Sequence, residues 1–164
     1  MKQYFQDEHY MLQDMVRDFA ANEIAPIAEA LDKEERFPLE LIPKLAELGL
    51  LGIPFPEEYG GAGMDTLAYT LVIEELAKVD SSVAITVAAH ISLGTSPIYL
   101  FGNEEQKNAH LANLISGKYL ACFGLTEPEA GSDAGGTKTT AVRDGDEWVI
   151  NGSKNFITNA GFSG

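Results

Sequence analysis

The apolar residues of this chain keep one spacing up to Gly117 and a different one after it, which demands a helical unit followed by a β unit. From Glu8 to Leu31 the residues Met11, Leu12, Met15, Val16, Phe19, Ile24, Ile27 and Leu31 recur mostly three or four apart, as on one face of a helix, and Pro26 is placed to bend or interrupt that helix. Phe37-Pro38 opens a second helix that carries Leu41, Ile42, Leu45 and Leu48 to a stop at Gly49. The segment from Pro54 to Gly63, with two prolines and three glycines, reads as a loop. Asp65 then caps a helix over Thr66 to Val79, with Leu67, Leu71, Ile73, Leu76 and Val79 inward. Ser81 or Ser82 starts another through Val83, Val87 and Ile91, apolar on most sides and therefore central. Asn103-Glu104-Glu105-Gln106 is a variant capping box for a final helix to Ile115.

Beyond Gly117 the pattern is that of strands. Residues 119 to 125 form an apolar run. Thr137 to Arg143 alternates up to Asp144-Gly145, a hairpin pair in which Gly supplies a positive φ. Trp148 to Ile150 and Asn155 to Thr158 read as two more short strands joined at Asn151-Gly152. Strands so spaced predict an antiparallel barrel or sandwich, yet only three or four are present when the chain reaches Gly164. The expected fold class is therefore α+β. It comprises an all-α domain of about five helices over residues 1–118, then the first strands of an antiparallel β-barrel over residues 119–164, whose open edge invites self-association.

Charge narrows the partners. Twenty-five acidic against 11 basic residues give a net charge of -14, a field that repels nucleic-acid backbones and anionic lipid surfaces. An anionic nucleotide would have to be held by local donors such as backbone N–H groups, and an anionic ester would not be steered in. The lone Cys122 excludes an internal disulfide and no Cys/His spacing suits zinc, so no metal is expected and the setting reads as cytoplasmic. The N-terminal MKQYFQDEHY lacks the apolar run of a signal peptide, and no stretch reaches the length needed to cross a bilayer.

Residues 123–136, FGLTEPEAGSDAGG, place a short apolar strand before a loop of Gly, Ser and Thr, with Phe156-Ile157-Thr158-Asn159 one hairpin later. Reduction of a flavin puts negative charge near N1 and O2 and needs a donor near N5, and such a loop can supply those donors at Leu125, Thr126, Gly131 and Ser132. By composition alone it is equally an ordinary Gly-rich turn. The segments FPLELIPKLAELGLLGIPFPEEYGG, EELAKVDSSVA, FGNEEQK, LTEPEAGSDAGG and NGSKNFITNAG nevertheless occur together, in an order and spacing that resembles the acyl-CoA dehydrogenase family along all 164 residues, with most likeness to its bacterial short-chain, butyryl-CoA-type branch.

That resemblance implies an FAD enzyme that removes the α and β hydrogens of a fatty acyl-CoA and passes electrons to electron-transfer flavoprotein, with the intact enzyme a homotetramer. It implies cofactor contacts at Phe123, Leu125, Thr126, Gly131, Ser132, Phe156, Ile157 and Thr158, and substrate contacts at Ser132, Thr86, Ala89 and His90. Phe156 stands where many members have Trp, and Glu129 where Gly or Asn is common, which puts a negative charge near an anionic ligand. The family's base glutamate belongs to a C-terminal helical domain with no counterpart up to Gly164, so no catalytic residue is assigned and activity of this chain alone is not expected. Glu57, Glu58, Glu74 and Glu75 read as solvated charges. His9 and His110 read as surface residues, Cys122 as an inert core thiol, Trp148 and Tyr119 as barrel packing, and His90 as a core or pocket-wall residue. Two other readings stand beside this one: a non-catalytic interaction module that pairs through the open sheet edge, and an acyl-CoA oxidase or flavin monooxygenase of related fold.

Overall fold

The computed structural model describes residues 4–163. Its helices are α1 (Asp7–Phe19), α2 (Ala25–Lys33), α3 (Leu41–Glu47), α4 (Thr66–Ala77), α5 (Ser81–Ala88), α6 (Ser96–Phe101) and α7 (Glu104–Ile115), followed by a hairpin of β1 (Thr140–Asp144) and β2 (Glu147–Asn151). α1 runs into α2 through a π-helical turn at Ala20–Ile24, and α5 into α6 through another at Ala89–Thr95, so the helical part consists of five continuous rods. In each case the wide turn lies just before a proline, Pro26 or Pro97. The missing proline N–H and the bulk of its ring are absorbed by one enlarged turn, and the helix continues where a sharp break was possible.

Local chemistry sets the ends of these rods. The Asp65 carboxylate accepts from the Ala68 N–H at 2.8 Å, and Asp80 caps α5 by accepting from Ser82 and Val83 at 2.7 and 3.0 Å. Asn103 and Gln106 exchange side-chain and backbone bonds at 2.9 Å in a complete capping box. α3 closes in a Schellman motif. Gly49 has φ +71°, the Leu50 N–H reaches the Leu45 carbonyl at 2.9 Å, and the Gly49 N–H reaches Ala46 at 2.9 Å.

The core gathers Val16 and Ile24 from the first rod, Leu45 from α3, Leu76 from α4, Val87 and Ile91 from the fourth rod, and Leu111 from α7, around Leu50, Leu51, Ile53 and Phe55 of the intervening loop. Two residues read as solvated are part of this interior. His9 is buried: its Nδ1 accepts from the Gln6 N–H at 3.1 Å and its Nε2 meets Asp65 at 3.0 Å. Glu75 is only 2% exposed and is bonded by Gln13 at 2.7 Å, Lys78 at 2.7 Å and Arg17 at 3.4 Å, which ties α4 to α1. Those donors hold its carboxyl below the usual range even though burial pushes the other way.

The fourth rod, Ser81–Phe101, is 21 residues long and apolar enough to cross a membrane by length and composition, contrary to the sequence expectation. Val83, Ala84, Val87 and Ile91 bury its inner face in the core, while Ile85, Leu93, Leu100 and Phe101 are exposed.

The β part is shorter than its sequence pattern suggests. β1 and β2 pair antiparallel from Thr140 with Asn151 to Asp144 with Glu147. The two loop residues are thus Gly145 and Asp146, one position later than expected, with the positive φ (+62°) at Gly145 alone. Residues 121–126 and 155–157 run outside any ladder because two segments joined by a single backbone bond do not make one. Every residue of the hairpin is exposed, Trp148 at 64%, so neither face is buried, and the barrel packing expected of Trp148 is not observed.

Candidate functional site

The apolar run from Leu120 docks on the helices through its first two residues. Ala121 donates its N–H to His90 Nδ1 at 2.9 Å, and its carbonyl accepts from Asn159 Nδ2 at 3.2 Å. Asn159 also donates to the Thr86 carbonyl at 3.1 Å, so one buried amide joins the fourth rod to both ends of the β part. Gly94 permits this approach: a Cβ there would lie 2.2 Å from Ala121 Cβ. His90 is fully buried, and burial lowers its pKa to about 4 while the Leu114 and Leu51 carbonyls partly offset that shift. Its imidazole is therefore neutral. With Nδ1 accepting, the proton sits on Nε2, which makes no hydrogen bond of good geometry.

From Phe123 the chain rises out of the core. Phe123 and Leu125 are 45% and 43% exposed, and Phe156 is 90% exposed. The segments that carry them are joined by the Asn155 N–H, which donates to the Thr126 carbonyl at 2.8 Å. A Cβ at Gly124 would sit 3.3 Å from Lys154 Cγ, so the two segments pass close to each other there. Phe156 has φ +58°, a conformation bulky L-residues avoid at a cost of about 1 to 3 kcal/mol. Among the described residues no acceptor meets the N–H groups of Leu125, Thr126, Ile157 or Thr158.

A charged cluster that the sequence reading did not single out holds this region. Glu127 is buried beneath the loop. Its carboxylate accepts from the Lys138 N–H at 2.6 Å, the Thr139 N–H at 3.0 Å and Lys154 Nζ at 2.7 Å. The Lys138 N–H, followed by Lys154 and Thr139, draws its pKa down to about 2. Lys154 also donates to the Leu125 carbonyl at 3.0 Å. Glu129, whose charge seemed adverse to an anionic ligand, is paired with Lys138 Nζ.

The structure brings Phe123, Leu125 and Thr126 beside the segment of Phe156, Ile157 and Thr158, and connects both to the rod of Thr86, Ala89 and His90. The last three are packed in the interior, with Thr86 Oγ1 donating to the Ser82 carbonyl at 3.0 Å. Ser132 is exposed and Gly131 has open space around it; among the described residues no hydrogen bond links either to the other candidates. A cleft of about 590 Å³ between α2 and the start of α5 is lined by none of these residues.

A flat ligand with an apolar face and acceptors along one edge matches this surface. The exposed Phe123, Leu125 and Phe156 offer apolar and aromatic contact, and the four unpaired N–H groups offer donors. An isoalloxazine ring has that character, so the residues present fit a flavin.

The chain as a whole is similar to known proteins. The family model for the acyl-CoA dehydrogenase N-terminal domain matches residues 6–118, and that for the middle domain matches residues 122–164. The chain is 56% identical over 156 residues to the Bacillus subtilis (strain 168) protein named "Probable acyl-CoA dehydrogenase YngJ", covering 95% of this chain and 41% of that protein. It is 49% identical to the short-chain specific acyl-CoA dehydrogenase of Clostridium acetobutylicum, covering 94% and 41%. The crystal structure of acyl-CoA dehydrogenase complexed with FAD from Bacillus anthracis superposes with a TM-score of 0.91 at 44% identity, covering 97% of this chain and 28% of that one. The chain thus spans about two fifths of the length of the curated relatives it matches.

Proposed function

The chain belongs to the acyl-CoA dehydrogenase family and resembles its short-chain members, and from that premise we propose that residues 123–126 and 156–158 form a platform for the isoalloxazine of FAD in the α,β-dehydrogenation of a short-chain fatty acyl-CoA. One observation carries the reading: Phe156 is held at positive φ with a 90% exposed ring, beside backbone donors that nothing else uses. Strain at an exposed aromatic has no evident structural return, and such outliers gather where a ligand is held.

In this reading Phe123, Leu125, Phe156 and Ile157 exclude water from the two sides of the ring. Thr126 and Thr158 donate hydrogen bonds to its edge, and Gly131 and Ser132 lie toward the pyrophosphate and the CoA moiety. FAD, when bound, supplies the acceptor for the hydride that leaves the substrate's β-carbon. Thr86, Ala89 and His90 form the wall behind the acyl group; His90 fixes Ala121 and the Thr86 carbonyl fixes Asn159. None of the residues placed at the platform is a carboxylate able to take the α-proton, and we assign the base to a part of the protein other than these segments. Residues 1–118 act as the helical domain and residues 119–164 as the start of the β domain. Electron-transfer flavoprotein as acceptor, a homotetrameric enzyme and a cytoplasmic setting belong to the same proposal.

Titration of the purified chain with FAD, followed by quenching of flavin fluorescence, tests it. Saturable quenching in the micromolar range is expected, with Phe156→Ala weakening it. Quenching that does not saturate, or that is unchanged in Phe156→Ala, would refute the platform.

A further inference from the structure

We propose that the ion pair of Glu127 and Lys154 is the positioning device of this platform, a clamp that fixes the two flavin-facing segments against each other. The inference rests on the flavin reading above. It begins from what the segments lack: no ladder joins 121–126 to 155–157, and Asn155 N–H to Thr126 O is their one backbone bond. One bond does not fix the relative height and tilt of two chains.

Lys154 supplies what is missing. Its Nζ bonds the Leu125 carbonyl on one segment and the Glu127 carboxylate immediately beyond it, and the residue itself directly precedes the other segment. Glu127 is in turn held by the Lys138 and Thr139 N–H groups at the entry to β1. Three parts of the chain, near 126, 138 and 154, thus converge on one carboxylate that is 7% exposed. The Lys154 side chain is 27% exposed, so the pair is largely removed from water and less screened than a surface pair.

The clamp also decides which groups remain free. Lys154 occupies the Leu125 carbonyl and Asn155 occupies that of Thr126, while the N–H groups of both residues stay unpaired. The edge offered to a ligand is then made of donors, as the pyrimidine end of a reduced flavin requires. The positive charge of Lys154 is spent on Glu127, so Lys154 acts through Leu125 and Thr126 and is a positioning residue.

The test uses the whole 164-residue chain and two readouts. FAD affinity is measured by fluorescence quenching, and amide exchange at Asn155 by NMR without FAD. Lys154→Met is expected to weaken FAD binding about tenfold, the usual worth of one charge-assisted hydrogen bond, and to speed Asn155 exchange. Lys154→Arg, which can reach both acceptors, is expected to stay within about threefold of the unmodified chain on the same scale. Glu127→Gln keeps the size of the side chain and is expected to fall between them; it decides the matter should Lys154→Met lose its helical circular dichroism. Unmodified chain that binds no FAD would refute the flavin reading and this inference with it. Unmodified chain that binds while Lys154→Met and Glu127→Gln bind equally well, or exchange Asn155 no faster, would refute the clamp alone.

Discussion

Replacing His90 by Asn should remove a specific part of the acid sensitivity of this fold. In the folded chain His90 is fully buried with its pKa lowered to about 4, against 6.5 for the free side chain. Above pH 6.5 the imidazole is neutral in both states and its titration contributes nothing. As pH falls from 6.5 toward 4, the unfolded chain takes up a proton that the folded chain refuses, so stability drops through that window and levels off below it. Each pH unit inside the window costs about 1.4 kcal/mol, so the loss between pH 7 and pH 4.5 attributable to this residue is roughly 2 to 3 kcal/mol. Asn at this position keeps an acceptor for the Ala121 N–H and has no charge to gain. It leaves a small void and lowers stability at pH 7, but by an amount that does not vary with pH. Urea unfolding followed by circular dichroism at pH 7 and pH 4.5 gives both differences. The drop should be smaller in His90→Asn by that 2 to 3 kcal/mol. Equal drops in the two proteins would refute the assignment of a neutral buried imidazole.

Other substitutions probe the remaining structure. Glu75→Gln loses the charge-assisted bonds from Lys78 and Arg17, and because both cations are half-exposed and recover water, the expected cost is about 1 kcal/mol, read as a lower urea midpoint; an unchanged midpoint would show that desolvation of the carboxylate cancels its bonds. Gly61→Ala places a Cβ 2.0 Å from the Phe55 carbonyl oxygen, a backbone atom that cannot yield, so a loss of about 3 kcal/mol or more is expected in the same assay. Gly94→Ala drives a Cβ to 2.2 Å from Ala121 Cβ and should weaken FAD affinity at least as much as it weakens the helical part, which quenching and circular dichroism separate. Phe156→Ala, by contrast, removes a ring that is 90% exposed and relieves little buried area, so thermal stability should hold within about 0.5 kcal/mol while FAD affinity falls.

What could be read from the sequence is what neighbours in the chain determine. Asp65, Asn103 with Gln106, Gly49 and Gly145 act within four or five positions, and each does what its residue type and place indicate. Most of the helical faces followed from spacing, Met11 being the exception on α1 at 72% exposed. The apolarity of Ser81–Phe101 was legible as well; its length was not, because a π-helical turn before Pro97 joins two helices into one rod. His9 could have been found by the same reasoning: it lies three residues before Leu12 and seven before Val16, on the buried face of α1, and its polarity outweighed its position.

The long-range interactions, in the helical core and at the candidate site alike, are of another kind. Glu75 meets Gln13 across 62 positions, Asn159 meets Thr86 across 73, and Lys154 meets Glu127 across 27. No local pattern announces such a pair, because an acidic residue awaiting a distant cation has the same neighbours as one facing water. The type of each residue still restricts what it can do once buried. A carboxylate withdrawn from water must gather donors, and Glu127 gathers two backbone N–H groups and a lysine. Its position directly after the apolar run, rather than the run itself, is therefore what turns two unpaired stretches of backbone into one surface. A Gly-rich loop with no such anchor would keep the same composition and lose the fixed geometry, which is why composition alone could not separate a flavin platform from a turn.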